Sequence, residues 1–70
     1  MARKRFRLPE APGDGRAEEI RSELAELPGI GDIHVAPGEV EIVVEADREV
    51  LSDDEILAAI GRAGVEATLV

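Results

Sequence analysis

The sequence predicts an α+β fold of order βαββαβ, in which two helices cover one face of a four-stranded antiparallel sheet. Three observations point to it. Apolar and polar residues alternate in short stretches near both ends and in the middle of the chain. Between these stretches lie two segments in which apolar residues recur at helical spacing. Gly and Pro punctuate the boundaries.

The first strand is read at Lys4-Arg5-Phe6-Arg7-Leu8, with Phe6 and Leu8 facing inward. Pro9 through Gly15 is a loop by composition. From Arg16 the period changes, and Ala17, Ile20, Leu24 and Leu27 form one apolar stripe of an amphipathic helix. Glu18 and Glu19 suit the positive end of its dipole, and Pro28-Gly29 stops it. Ile33 and Val35 share the inner face of a second strand, with Asp32 and His34 on the other. Pro37-Gly38 is a turn, and a third strand runs from Val40 to Ala46 to complete a hairpin. In it Val40, Ile42 and Val44 face one way, and Glu41, Val43 and Glu45 the other. Ser52-Asp53-Asp54-Glu55 reads as a capping box, because the Ser hydroxyl and the Glu carboxylate can each accept from the other's backbone N–H. Ile56, Leu57, Ile60 and Ala63 form the inner stripe of the second helix, and Gly64 stands where a left-handed terminating residue is wanted. Val65 to Val70 is the fourth strand.

The right-handed crossover rule selects the split βαβ arrangement, with sheet order 4-1-3-2 and the first and third strands central. This is the ferredoxin-like topology. A single domain over residues 1–70 is expected, since 70 residues are too few for two.

Composition narrows the chemistry. With one Phe and no Trp, Tyr or Cys, the core is aliphatic, and disulfides and thiolate metal sites are excluded. No apolar stretch approaches the ~18 residues of a membrane span, and no apolar segment of a leader follows the basic start, so a cytoplasmic location is expected. The formal net charge is −8, yet Arg3, Lys4, Arg5 and Arg7 supply half of the eight basic residues. A surface this negative repels phosphate backbones, which argues against nucleic acid and for a basic protein surface as partner.

The residues then resemble a family. Leu24-x-x-Leu27-Pro28-Gly29-Ile30-x-x-Ile33-x-Val35, followed by Val40-x-Ile42-x-Val44, is similar to the middle of the heavy-metal-associated domain of copper chaperones and metal-pumping ATPases. The closing stretch Ser52-x-x-Glu55-Ile56-x-x-Ala59-Ile60-x-x-Ala63-Gly64-Val65-x-Ala67-x-Leu69-Val70 is similar to that family's ending. The resemblance spans roughly residues 4 to 70 and implies the same ferredoxin-like fold. It also implies a metal-binding Cys-x-x-Cys just ahead of the first helix, with the second cysteine four residues before an apolar helix position. Counting back from Ile20, this chain reads Gly13-Asp14-Gly15-Arg16 there. Soft monovalent copper needs sulfur ligands; glycine offers none and a guanidinium repels the ion. The family's metal-ligating residues therefore carry over to no position.

Other chemistries fare little better. Glu10, Asp14, Glu18 and His34 are the candidates for a harder cation, but their spacing matches no calcium loop or zinc pattern. Gly13, Asp14, Gly15 and Arg16 are the candidate contact for an anion or a partner: glycines bare backbone N–H groups at a helix start and Arg16 adds a bidentate donor. Asp14, Glu18 and Glu19 crowd that end with negative charge. Acylphosphatases share the topology and use a loop arginine with an asparagine, and this chain has no Asn. Ser22, Ser52 and Thr68 are scattered over a helix, a cap and a strand, so no nucleophile–base pair is expected and no catalysis. The open sheet face is expected to carry Arg5, Arg7, Glu41, Val43, Glu45, Asp32, His34, Glu66, Thr68 and Val70, with no aromatic on which a base could stack. Arg5 and Arg7 are expected across from Glu41 and Glu45.

The reading that results is a non-catalytic protein-interaction or regulatory module without soft-metal binding, cofactor or catalytic residues. The alternatives are a metal-handling protein that uses carboxylates and His34, and a structural domain that forms a homo-oligomer through the open face or an edge strand.

Overall fold

The computed structural model describes residues 2–70. Its elements follow the expected order: β1 (Ala2–Arg7), α1 (Asp14–Ala25), β2 (Ile30–His34), β3 (Glu41–Ala46), α2 (Asp53–Arg62) and β4 (Thr68–Leu69). The strands form one antiparallel sheet in the order β2-β3-β1-β4, which is the expected 4-1-3-2 read from the other edge. Inward residues of β1 and β3 meet the buried stripes of both helices. Phe6, Ile42 and Val44 from the sheet, with Ile20, Leu24, Ile56 and Ile60 from the helices, are fully enclosed in a single aliphatic core.

Local signals placed the turns. Pro37 and Gly38 are the central residues of a turn closed by the Glu39 N–H donating to the Ala36 carbonyl at 3.2 Å. Gly38 has φ +84°, the left-handed geometry that a type II turn demands of its third residue. The capping box forms as expected: the Glu55 N–H donates to the Ser52 hydroxyl, and the Ser52 N–H donates to the Glu55 carboxylate, each at 3.2 Å.

Several extents differ from expectation. Helix α1 starts at Asp14, not Arg16, because Gly13 already takes the extended N-cap conformation and its carbonyl accepts from Ala17 N–H at 2.9 Å. Leu27 lies beyond the helix end and is only half-buried. In α2 the small Ala59 fills the buried stripe, while Leu57 sits at its border. Val40 precedes β3 and is exposed, with its carbonyl taken by the Leu8 N–H at 2.7 Å.

The largest difference is β4, which pairs only over Phe6↔Leu69 and Arg7↔Thr68. The cause lies on the partner strand. Extending that antiparallel register sets Pro9 opposite Glu66, and proline has no N–H to continue the ladder. Val65 to Ala67 is therefore an irregular connector, and Leu69 is half-exposed.

The open face also departs in register. Arg7 stands opposite Glu41 and Arg3 opposite Glu45, while Arg5 faces Val43. The ion pairs that form are Arg3–Glu45 at 3.8 Å and the diagonal Arg5–Glu41 at 4.0 Å. Arg3 thus takes the place expected for Arg5 and Arg7 opposite Glu45, because β1 begins at Ala2 and brings Arg3 onto the sheet.

Candidate functional site

The loop from Leu8 to Gly13 crosses the end of the sheet and delivers the first turn of α1 to the same end as the α2–β4 connector. It is anchored along its length. Leu8 is buried and donates to Val40; Pro12 is buried and its carbonyl accepts from Gly38 N–H at 3.1 Å. Between this loop and the connector lies an open groove of about 610 Å³, lined in part by Pro9, Pro12, Gly13, Arg16, Gly64 and Glu66.

Each residue of the sequence-predicted site can be placed. Gly13 is the N-cap of α1 with φ −80° and ψ 179°, and a Cβ there would meet open space. Asp14, Gly15 and Arg16 form the first helical turn, with Asp14 the acid nearest the helix start. Arg16 does not turn toward the helix's free N–H groups. Its guanidinium crosses the groove and donates to the carbonyl of Ala63, the C-cap of α2. Gly64, next in the chain, has φ +84°, and a Cβ built on it would strike the Arg16 guanidinium. The left-handed backbone favours glycine at this position, and a side chain there would displace the Arg16 guanidinium.

The other cations of the helical layer are also engaged. Arg21 donates to the Val35 carbonyl at 2.7 Å and pairs with Glu18 at 2.6 Å. Arg62 pairs with Glu23 at 3.3 Å, and Lys4 reaches Asp53 at 3.2 Å. Glu10, Asp14, Glu19, Glu26, Asp54 and Glu66 have no ion pair among the described residues, so the field on this side of the molecule is negative.

The candidate hard-cation ligands do not converge. His34 lies on the exposed sheet face against Glu39 at 3.1 Å, whereas Asp14 and Glu18 are on α1. Among the described residues no three His, Cys, Asp or Glu side chains come together as a metal-ligand group. At the loop itself, the donors at positions 13 to 16 are one hard carboxylate and a cation, a set that does not fit a soft monovalent ion.

Comparison with known proteins bears on the scaffold. No protein-family model matches the chain, and no curated protein matches it in sequence. Solved structures do match. The copper-binding domain of HMA7, a P-type ATPase, superposes with a TM-score of 0.91 at 18% identity, over 100% of this chain and 95% of that one. The N-terminal domain of PacS from Synechocystis PCC6803 gives 0.86 at 20% identity, over 100% of this chain and 98% of that one. A chain of the Atx1–Cu(I)–Ccc2a complex gives 0.79 at 18% identity, over 97% and 93%.

The chain has the fold of the heavy-metal-associated domain. It has that fold with Gly13 and Arg16 where the resemblance puts two cysteines, and with no cysteine anywhere. Sequence reasoning missed the contact from Arg16 to Ala63. The two residues are 47 positions apart, and nothing local marks the pairing. Gly64 was readable as a helix terminator but not as the space into which a guanidinium fits.

Proposed function

We propose that this chain is a non-catalytic interaction module on the heavy-metal-associated scaffold, which carries no soft metal and docks a basic protein surface. One observation carries the reading: where a soft ion would need two sulfurs, the chain has a bare N-cap glycine and a guanidinium committed to Ala63. Surface recognition is the capacity that remains. Its sign follows from charge, since the helical cations are matched within the molecule and Glu10, Asp14, Glu19 and Glu26 are not. A similar fold occurs in the Atx1–Cu(I)–Ccc2a complex, which supports protein docking as a use of the scaffold. For the stretch Gly13 to Arg16 we favour partner contact over an anion. Arg16 is already engaged, and Asp14, Glu18 and Glu19 stand at the same helix end.

The reading separates in two measurements. Titration of cuprous ion against a chromogenic chelator should show no stoichiometric capture by the native protein. The double variant Gly13→Cys, Arg16→Cys should compete for the ion, because a side chain at position 13 has room and an ordinary backbone. Tight capture by the native chain sinks the metal-free reading. Immobilised protein should retain basic proteins that elute between low and moderate salt, and charge reversal at Glu19 and Glu26 should weaken retention. Retention indifferent to both sinks the docking reading.

A further inference from the structure

The groove between the first loop and the α2–β4 connector is spanned by one side chain, and the way it is held suggests a device. Helix α2 ends with the Ala63 and Gly64 N–H groups turning back to Ile60 and Gly61 at 3.0 and 2.9 Å, which leaves the Ala63 carbonyl at the negative end of the helix dipole. The Arg16 guanidinium donates to that carbonyl, from the first turn of α1. A cation is favoured at a helix C-terminus and disfavoured at an N-terminus, so the charge of Arg16 has been moved from the wrong helix end to the right one. Gly64 keeps the path clear.

Past Gly64 the connector is held by half-buried Val65 and Ala67 against the core and by a short strand pairing. Strand β4 is two residues long, and beyond its pairing with β1 the Val70 N–H donates to the Arg5 carbonyl at 3.1 Å. On the other bank, the first loop is tied through Pro12 to Gly38.

We propose that Arg16 is a latch that fixes the α2–β4 connector to the start of α1, so that its release lets β4 and the connector detach while the rest of the sheet stays intact. This rests on the contact geometry alone and is independent of the docking reading above. In the latched state the groove is bridged by an internal cation. In the released state the edge of β1 between Arg5 and Arg7 loses its partner strand.

Native-state hydrogen exchange by NMR tests this on the intact chain. Arg16→Ala should speed exchange of the Thr68 and Val70 amides, which face β1, roughly fivefold or more, with amides of Ile42 and Val44 in β3 slowed or quickened only as overall stability changes. Gly64→Ala, which puts a methyl where the guanidinium lies, should act in the same direction, and in the Arg16→Ala background its added effect on β4 should shrink. A direct readout needs no variant: the Arg16 guanidinium protons should exchange more slowly and rotate less freely than those of exposed Arg48. Equal behaviour of the two arginines, or β4 amides that respond no more than β3 amides, overturns the latch.

Discussion

Among single side chains, geometry separates ion pairs that matter from those that do not. Lys4 and Asp53 join β1 to the start of α2 at 3.2 Å, with side chains 22% and 33% exposed. Arg5 and Glu41 lie 4.0 Å apart and are 58% and 42% exposed. Exposed pairs contribute little after screening and side-chain ordering. Lys4→Ala should therefore lower stability by about 1 kcal/mol, through lost packing of its stem as well as lost charge, and Arg5→Ala by less than about 0.5 kcal/mol. Urea melts of the two variants decide this, and equal losses would mean that burial is not what distinguishes the pairs. At this scale the sequence was informative about residue type and weak on partners. The alternation that put Arg5 and Arg7 on the open face was right, but which glutamate each would meet depended on where β1 began.

Whole elements were most legible where their signals are local. The capping box at Ser52 needs only four consecutive residues, and it formed as read. Ser52→Ala should cost about 1 kcal/mol, which for a domain of this size lowers the thermal midpoint by roughly 4–8 °C. Helix α1 offers the converse experiment, since its N-cap, Gly13, makes no side-chain hydrogen bond. Gly13→Ser should raise stability by about a few tenths of a kcal/mol, from the added cap and a stiffer unfolded chain. A loss in that thermal melt would show that the loop cannot accept a side chain there, contrary to the space around it. Strand lengths were less legible, because a ladder needs two partners. Six residues at the C-terminus alternate like a strand, and Pro9 on the neighbouring segment limits their pairing to two. Helix faces fell between these cases: spacing identified Ile56 and Ile60, but Leu57 and Ala59 flank that stripe on either side, and the fold buries Ala59 and leaves Leu57 half-buried.

The molecule as a whole rests on one small core with Phe6 as its only aromatic, fully enclosed. Domains of this size have little stability to spare. Phe6→Ala should cost about 3–5 kcal/mol and leave much of the protein unfolded at room temperature, whereas Phe6→Leu should keep a cooperative melt. Circular dichroism of both variants checks this, and a well-folded alanine variant would mean that the core holds redundant packing. The overall topology was legible because element order and crossover handedness leave few alternatives. The site was legible only as an absence: the lack of cysteine is written in the sequence, but the joining of residues 16 and 63 is a property of the fold.

The margins of the sheet bear on colloidal behaviour. The β2 side is interrupted by a register shift between Ile30 and Ile33, and the β4 side is two residues long. Neither rim presents the long straight row of free amides that templates fibril growth. Concentrated solutions should accordingly resist seeding by cross-β aggregates for as long as the native state persists.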